Sequence, residues 1–137
     1  PIVGAACGGN HRLSVLYKAR KHYGLDGGVW LVIDSKIDSH IKLAKRLQNR
    51  DGSFSSKFYL GGERSNDTIM RINATGHIFE FLAEALPDDM LKQPWVMAAA
   101  RSLIEDLKKD VNFAKAGGPI YHALNGLIIY RRRLMNE

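Results

Sequence analysis

The stretch Thr75-Gly76-His77-Ile78-Phe79-Glu80-Phe81-Leu82 decides the fold, because it is one of three segments in which apolar residues follow a histidine at helical spacing. The other two segments begin at His11 and His122. In each segment the second, fifth and eighth residues after the histidine are apolar or small, so they fall on one helix face. A loop of small residues precedes each histidine, and we therefore predict three similar loop-to-helix junctions. The residues on the shared face are Leu13, Leu16, Ala19, Phe79, Leu82, Ala85, Leu124, Leu127 and Tyr130.

Hydrophobic periodicity along the rest of the chain predicts about five helices and a single domain over residues 1–137. Short connections favour antiparallel neighbours, so the predicted fold class is all-α, built from α/α-hairpin repeats. Asn10 is expected to be the N-cap of the first helix. An extended segment is predicted from Gly27 to Ile33, and breaks are predicted before His77 and at Gly117-Gly118-Pro119. The predicted helices cover residues 10–23, 35–48, 67–86, 94–109 and 120–133.

The first, third and fifth predicted helices are apolar over a broad arc, which includes Leu82 and the run Leu127-Ile128-Ile129. The second and fourth carry one apolar stripe and a basic outer face. Helices with a wide apolar surface belong inside a bundle, whereas striped helices belong outside. We therefore expect the first, third and fifth helices to be neighbours, with their histidines at one end.

Composition limits the classes of protein to consider. A chain of 137 residues with 45% hydrophobic and 25% charged residues suits one globular domain. No run approaches the roughly 18 apolar residues that a membrane helix needs. Cys7 is the only cysteine, which excludes an internal disulfide and favours a reducing, cytoplasmic location. The chain begins at Pro1 without a methionine, so we expect it to be a fragment of a longer chain.

The formal net charge of +6 does not by itself indicate nucleic-acid binding. The basic residues are dispersed over predicted helix ends and polar faces, where solvated charge is normal. The only basic run is Arg131-Arg132-Arg133, which closes the last helix and complements its dipole. Because no recognition motif or aromatic platform accompanies the charge, a nucleic-acid partner is not expected.

The segment Gln48-Asn49-Arg50-Asp51-Gly52-Ser53-Phe54 resembles the repeated Q-x-x-D-G-S-W element of the α/α toroid superfamily, which includes terpenoid cyclases and protein prenyltransferase β subunits. In that element Asp-Gly makes a turn, Gln satisfies backbone groups at a helix end, and the aromatic residue covers the joint. The resemblance implies that the element ties an outer helix to the next inner helix. It also implies a partial toroid, since a full one has about twice as many helices as this chain.

The resemblance does not bring a known activity with it. The cyclase motifs D-x-D-D and D-D-x-x-D are absent, and Asp88-Asp89 suits the start of a helix. Prenyltransferases bind zinc through Asp, Cys and His, and His122 resembles their histidine, but no Asp-x-Cys precedes the third helix. Cys7-Gly8-Gly9-Asn10 resembles the C-G-E-Q thioester element of complement proteins, without its Glu and Gln.

His11, His77 and His122 form the candidate catalytic site, with Glu80 one turn after His77 and able to orient its ring. Cys7 is a candidate ligand-binding residue at the junction with His11, where it is either a nucleophile or a buried small residue. The other candidate ligand-binding residue beside the cluster is Tyr121, through its hydroxyl. The alternative is structural, with each histidine filling a polar junction of the repeat. No metal ligand is assigned because a helix-borne HxxH or HExxH pair is absent; zinc is the alternative cofactor.

Two further candidates for ligand binding lie one helical turn apart. Asp67 and Arg71 are expected to form an ordinary surface pair at i,i+4, and the alternative is anion binding at a cavity rim. The polar stretch from Ser55 to Asn66 is the longest loop and a candidate lid or rim. His22 and His40 are expected to lie on the surface.

Two classes of function follow from these observations. The first is a scaffold or interaction module that completes a longer toroid, since the catalytic motifs of the superfamily are missing. The alternative is an enzyme or binding domain for an apolar, isoprenoid-like small molecule, with the three histidines at the head of the cavity. A partial toroid would leave apolar surface uncovered, so we expect a homodimer or an upstream segment of the same chain to cover it.

Overall fold

The computed structural model describes residues 6–24, 27–109 and 113–135, and among these residues it contains helices and no strand. The all-α prediction is therefore confirmed. Among the described helices, none has the length and apolar character needed to cross a membrane. In chain order the elements are a 3-10 turn at Ala6–Gly9 followed by α1 Asn10–Tyr23, α2 Val29–Arg46, α3 Thr68–Ala85, α4 Asp88–Leu91, α5 Pro94–Leu107 and α6 Phe113–Met135.

Helix α3 is the centre of the domain. It has apolar residues on nearly every side and packs against α1, α5 and α6. Few of its residues therefore reach solvent. Phe79, Phe81 and Leu82 are fully buried, as the apolar arc predicted for Leu82. The peripheral helices bury much less: α1 buries only Asn10 and Leu13, and α2 only Ile37 and Ala44.

Helix α2 begins earlier than predicted. The segment from Val29 to Ile33 is helical, so the predicted extended segment is wrong. No glycine or proline interrupts residues 29–46, and the apolar spacing of Ile33, Ile37, Ile41 and Ala44 continues one helix face upstream. Trp30 is half-buried in the first turn, with the Arg20 guanidinium 6.0 Å from its ring centroid.

Helix α3 runs without a break through the Thr75-Gly76 step, contrary to the predicted interruption before His77. The two residues serve packing instead. Thr75 Oγ1 accepts a hydrogen bond of 3.1 Å from the Phe54 backbone N–H. Gly76 faces α6, where a Cβ atom would lie 3.0 Å from the Ala123 backbone nitrogen. A small residue is therefore needed for the two helices to approach each other closely.

Helix α6 also begins upstream of its predicted start and contains Pro119 in its interior. Ala116, Ile120 and Ala123 are buried at helical spacing, and this packing carries the helix through the predicted Gly-Gly-Pro linker. The outward side of α6 is uncovered. Ile128 is 48% exposed, so its predicted burial is wrong: α6 packs chiefly on α3, and Ile128 lies on the opposite face.

The segment from Gln48 to Phe54 forms the tight turn that its sequence predicted. Gln48 Nε2 donates hydrogen bonds of 2.8 Å to the carbonyl oxygens of Gly52 and Trp95. Gly52 has a φ of 87°, which favours glycine. Phe54 is buried, with its ring edge-on to Trp95. The turn therefore joins the end of α2 to the middle of α3, through Phe54 and Thr75, and to the start of α5, through Gln48 and Trp95.

Replacing Gln48 should weaken the fold because two partly buried carbonyl groups would lose their donor. We expect Gln48→Ala to lower the free energy of unfolding by about 1–3 kcal/mol. Asp51→Ala should cost less, since water can replace part of its turn contacts. Arg50→Ala, at an exposed neighbouring position, is the control. Urea titration measures all three, and an unchanged midpoint in Gln48→Ala would contradict this role.

The contact between α3 and α6 can be tested with glycines of the same helix. A Cβ atom at Gly126 would lie 2.9 Å from Glu80 Cα, whereas Gly117 has open space around it. Gly126→Ala should therefore destabilise the domain by about 1–3 kcal/mol through overpacking. Gly117→Ala should stabilise it by up to about 1 kcal/mol through helix propensity. Equal melting temperatures for the two variants would show that the helices can separate freely.

Candidate functional site

Three imidazole rings converge where the start of α1 meets the middle of α3 and of α6. The ring centroids of His11 and His77 lie 5.3 Å apart, and those of His11 and His122 lie 4.9 Å apart. His77 and His122 are closest, at 3.9 Å. His11 is exposed, His77 is buried and His122 is intermediate, so the cluster runs from the surface into the interior.

The histidines do not meet for the reason that the sequence predicted. Only His11 follows a loop-to-helix junction, because His77 and His122 lie well inside continuous helices. They converge because α3 and α6 cross closely at Gly76 and Gly126, which places the neighbouring rings against each other. The shared spacing marked a common helix face, but the predicted common junction is wrong for two of the three.

His77 presents one ring nitrogen to the cluster without a partner. Its Nδ1 donates to the Asn73 carbonyl oxygen at 2.7 Å, which leaves Nε2 as the atom with the free lone pair. Nε2 is buried and has no hydrogen-bond partner among the described residues. Burial, opposed by the Asn73 bond and assisted by the nearby His122 and His11, lowers the pKa of His77 from 6.5 to about 4. The ring is therefore neutral at pH 7.

His122 is oriented by a carboxylate and an amide. Its Nδ1 lies 2.7 Å from Glu80 Oε2, and Asn125 Nδ2 donates to Glu80 Oε1 at 2.6 Å. The Nδ1–H bond to the carboxylate directs the other nitrogen, Nε2, into the cluster, 3.3 Å from His11 Nε2. Glu80 therefore orients His122, rather than His77 as the sequence suggested.

Cys7 reaches the cluster from a turn with left-handed backbone geometry. Cys7 has a φ of 61° and ψ of 24°, and Gly8 and Gly9 also have positive φ. Phe58, likewise at positive φ, packs against Gly8 so closely that a Cβ atom there would overlap it. A non-glycine residue in this conformation is costly, and such strain is concentrated at functional sites.

Asn10 fixes this turn in place of capping α1. The N-cap position is Gly9, so the predicted role of Asn10 as N-cap is wrong. Asn10 Nδ2 donates to the Cys7 carbonyl oxygen at 2.8 Å, and the Tyr59 hydroxyl donates to Asn10 Oδ1 at 2.6 Å. Burial raises the pKa of Tyr59, so its hydroxyl remains a donor. The loop from Ser55 to Asn66 thus contacts this region through Phe58, whose ring centroid lies 6.4 Å from that of His77, and through Tyr59.

Cys7, His11 and His77 have the arrangement of a ligand set. One ligand atom from each, the thiol sulfur and a ring nitrogen of each imidazole, lies within 4.8 Å of the others. Burial raises the pKa of the Cys7 thiol, so the thiolate is disfavoured without a nearby positive charge. This disfavours Cys7 as a standing nucleophile.

The remaining predicted site residues lie elsewhere or at the edge. Tyr121 is 62% exposed, with its ring centroid 5.2 Å from that of His122. Asp67 caps α3 by accepting from the Ile69 N–H at 2.8 Å. Arg71 is buried and makes two bonds of 2.9 Å to Asp106, so the predicted surface pair with Asp67 is wrong. The structure does not bring Asp67 or Arg71 to the imidazoles.

Sequence reasoning missed the asparagines that hold the site residues. Asn125 follows His122 by three residues and Asn73 precedes His77 by four, so both stand one helical turn from a histidine. That spacing was a usable signal for Asn125, whose side chain reaches Glu80. Asn73 acts through its backbone carbonyl, which every type of residue carries. The sequence therefore gives no signal for this contact.

No family model, curated protein or solved structure matches this chain. The resemblance of the Gln48–Phe54 segment to the toroid element therefore stays a prediction.

The lowered pKa of His77 predicts a dependence of stability on pH. As the pH falls below 6.5, His77 takes up a proton in the unfolded chain. In the folded chain it stays neutral until the pH approaches its lowered pKa of about 4. The free energy of unfolding should therefore fall as pH is lowered across this window, with chelator present. His77→Gln should flatten the dependence, whereas His22→Gln, at an exposed position, should not. The cluster also contains His11, His122, Glu80 and Cys7, so urea titrations at several pH values are compared between variants. An equal slope in His77→Gln and the unmodified chain would refute the assignment.

Proposed function

We propose that this protein binds a divalent transition-metal ion of the zinc type, with Cys7, His11 and His77 as its ligands. The observation that carries the proposal is the grouping of one ligand atom from each residue within 4.8 Å of the others, in a cluster where Nε2 of His77 is buried and has no partner. A buried nitrogen without a partner costs free energy unless a ligand satisfies it. Thiolate and imidazole are the ligands that zinc prefers.

The spacing of the ligands supports a tetrahedral ion. Usual zinc–nitrogen and zinc–sulfur bond lengths place tetrahedral ligand atoms about 3.3–3.6 Å apart. The observed limit of 4.8 Å needs only small side-chain adjustments to reach that range. The same bond lengths place the centroids of two bound imidazoles about 5 Å apart, and those of His11 and His77 are 5.3 Å apart.

His122 lies beside the proposed ion but outside its ligand set. Its ring centroid is 3.9 Å from that of His77, closer than the spacing of two imidazoles on one tetrahedral ion. Its orientation is also fixed separately, by the bond from Nδ1 to Glu80. Three protein ligands, with a fourth position for another group, is the pattern of catalytic rather than structural zinc sites.

Hydrogen bonds around the ligands support this assignment. The Asn73 carbonyl fixes the His77 tautomer so that Nε2 faces inward, and metal-bound histidines nearly always have such a partner on the other nitrogen. Asn10 holds the backbone of Cys7 in its left-handed turn. A bound cation would also displace the thiol proton of Cys7, so affinity should rise with pH.

A second candidate function is the scaffold role within a longer α/α toroid. It is supported by the direction of the three helices that carry the histidines. Lys18 and Glu84 each follow their histidine by seven residues and form an ion pair of 2.9 Å, so α1 and α3 run in parallel. Arg133 of α6 donates to the Ala83 carbonyl at the same end. Parallel inner helices are what the toroid resemblance implies.

Uncovered apolar surface also favours an interaction role. Val15 on α1 and Leu124 and Ile128 on α6 are 47–65% exposed. Exposed apolar residues in such numbers suit a covering partner, either a second copy of the chain or an upstream segment. Light scattering of the purified chain, compared with a Leu124→Asp Ile128→Asp double variant, tests this role separately from metal binding.

Metal binding is tested directly with zinc and cobalt. We expect the chelator-treated chain to bind one equivalent of Zn²⁺ in calorimetry and to give a thiolate-to-cobalt absorption band with Co²⁺. Cys7→Ser should abolish that band, and Cys7→Ser or His77→Ala should weaken binding by at least about tenfold. His22→Ala should bind as the unmodified chain does. Stoichiometric binding that survives both ligand substitutions would place the ion elsewhere, and no binding would refute the proposal.

A further inference from the structure

We propose that the outer face of α6 binds an acidic amphipathic helix of a partner protein. This inference goes beyond the proposed metal site, because no residue of this face is one of the proposed ligands. Two features carry it: an exposed row of mostly apolar residues at coiled-coil spacing, and basic side chains on the same face that lack acidic partners.

The exposed residues in the second half of α6 follow a heptad spacing. Tyr121, Leu124, Ile128 and Met135 are 62%, 47%, 48% and 54% exposed. Arg131 is also exposed, and with it the five residues are separated by alternating steps of three and four. This is the spacing of the a and d positions, which pack one helix against another along a narrow line. We call these five residues the outer seam.

The outer seam lies on the side of α6 that faces away from the domain. Ala123 and Gly126, which point to the other side, are buried, and a Cβ atom at Gly126 would lie 2.9 Å from Glu80 Cα on α3. Helix α6 has 23 residues, which gives a length of about 35 Å and room for three heptads. The surface therefore has the length and spacing that one further helix needs.

Charge on α6 has one sign. Residues 113–135 include no aspartate or glutamate. Arg133 is paired within the domain, since its Nη2 lies 2.6 Å from Asp88 Oδ1. Among the residues that the structure describes, Arg131 and Arg132 have no such ion pair, and both are exposed. The basic residues of the helix are Lys115, Arg131, Arg132 and Arg133.

Arg131 determines what can cover the seam. It occupies a seam position between Ile128 and Met135, and its Nε donates only to the Met135 sulfur, a weak acceptor, at 3.5 Å. An apolar helix laid over the seam would bury this charge without a partner, which is costly. A helix with a carboxylate opposite Arg131 and Arg132 would pair the charges instead and fix the register of the two helices.

A second copy of this chain does not supply that carboxylate through α6. Two parallel α6 helices would bring Arg131 against its own copy, and two antiparallel helices would bring it against another part of a helix without acids. A lipid surface also fits less well, because helices that lie on membranes present a broad apolar face rather than a two-position seam. The charge and spacing together favour an acidic helix from another protein.

The test uses the purified chain and a fluorescent peptide of about four heptads, with Ile at a, Leu at d and Glu at e and g. Its own negative charges oppose self-association. The matched control peptide has Lys in place of Glu. In fluorescence anisotropy at low salt we expect the Glu peptide to bind at least about tenfold more tightly than the Lys peptide. This difference should shrink at high salt, where charges are screened.

Variants separate the apolar and charged parts of the seam. Leu124→Ser with Ile128→Ser should weaken binding of the Glu peptide by at least about tenfold, because it removes two apolar contacts. Arg131→Glu with Arg132→Glu should reverse the preference, so that the Lys peptide binds more tightly. Lys42→Glu with Arg46→Glu, at exposed positions of α2, makes the same change in net charge and should keep the original preference. Circular dichroism checks that each variant is folded, and the two arginine substitutions test the proposal alone if the serine variant does not fold.

Several results would overturn the inference. Absence of peptide binding, equal binding of the two peptides, or an unchanged preference in Arg131→Glu with Arg132→Glu would refute an acidic helical partner. A dimer in light scattering that Leu124→Ser with Ile128→Ser dissociates would make a second copy the occupant. Sedimentation with phosphatidylserine vesicles, lost in the same serine variant and stronger than peptide binding, would make a lipid surface the occupant.

Discussion

The close approach of α3 and α6 is the constraint on which the rest of the structure depends. At Gly76 and Gly126 the two helices meet backbone to backbone, because a Cβ atom at either position would crowd Ala123 or Glu80. Interdigitation at this density supplies the dispersion contacts of the core. The same contact sets the distance between His77 and His122, since their rings stand beside the crossing. Core packing and site geometry are therefore one arrangement, and a change in one must alter the other.

Polar groups around the cluster are held by partners that the fold supplies from distant parts of the chain. Asn10 bonds to Tyr59, Thr75 to Phe54, and Glu80 to both Asn125 and His122. Against this background the unpartnered Nε2 of His77 is unusual, because a buried nitrogen without a hydrogen bond costs about 1–3 kcal/mol. Such a cost is retained where an external ligand offsets it. Glu84 has a buried oxygen in the same condition, but its other oxygen is paired with Lys18.

The sequence allowed the helical class and the burial of the third helix to be predicted, because apolar periodicity reports burial directly. It placed the first helix inside as well, but α1 buries only Asn10 and Leu13. It misplaced three boundaries. Val29–Ile33, Thr75-Gly76 and Gly117–Pro119 carry local signals against helix, and packing overrides these signals in all three. The candidate site was found through the matched histidines, although the reasoning about junctions held only for His11. Arg71 was misread, since its partner Asp106 is distant in sequence and no local pattern links them.

The uneven burial of the helices has a consequence for how the domain opens. α1 and α2 each bury only two residues, whereas α3 is almost wholly enclosed. Local unfolding begins where few apolar contacts hold an element, so we expect the N-terminal segment with α1 and α2 to open more readily than α3. His11 and Cys7 belong to that segment, and His77 to the most protected helix. A ligand bound at the cluster would therefore hold the N-terminal segment against α3. Slower amide hydrogen exchange in α1 would report this stabilisation.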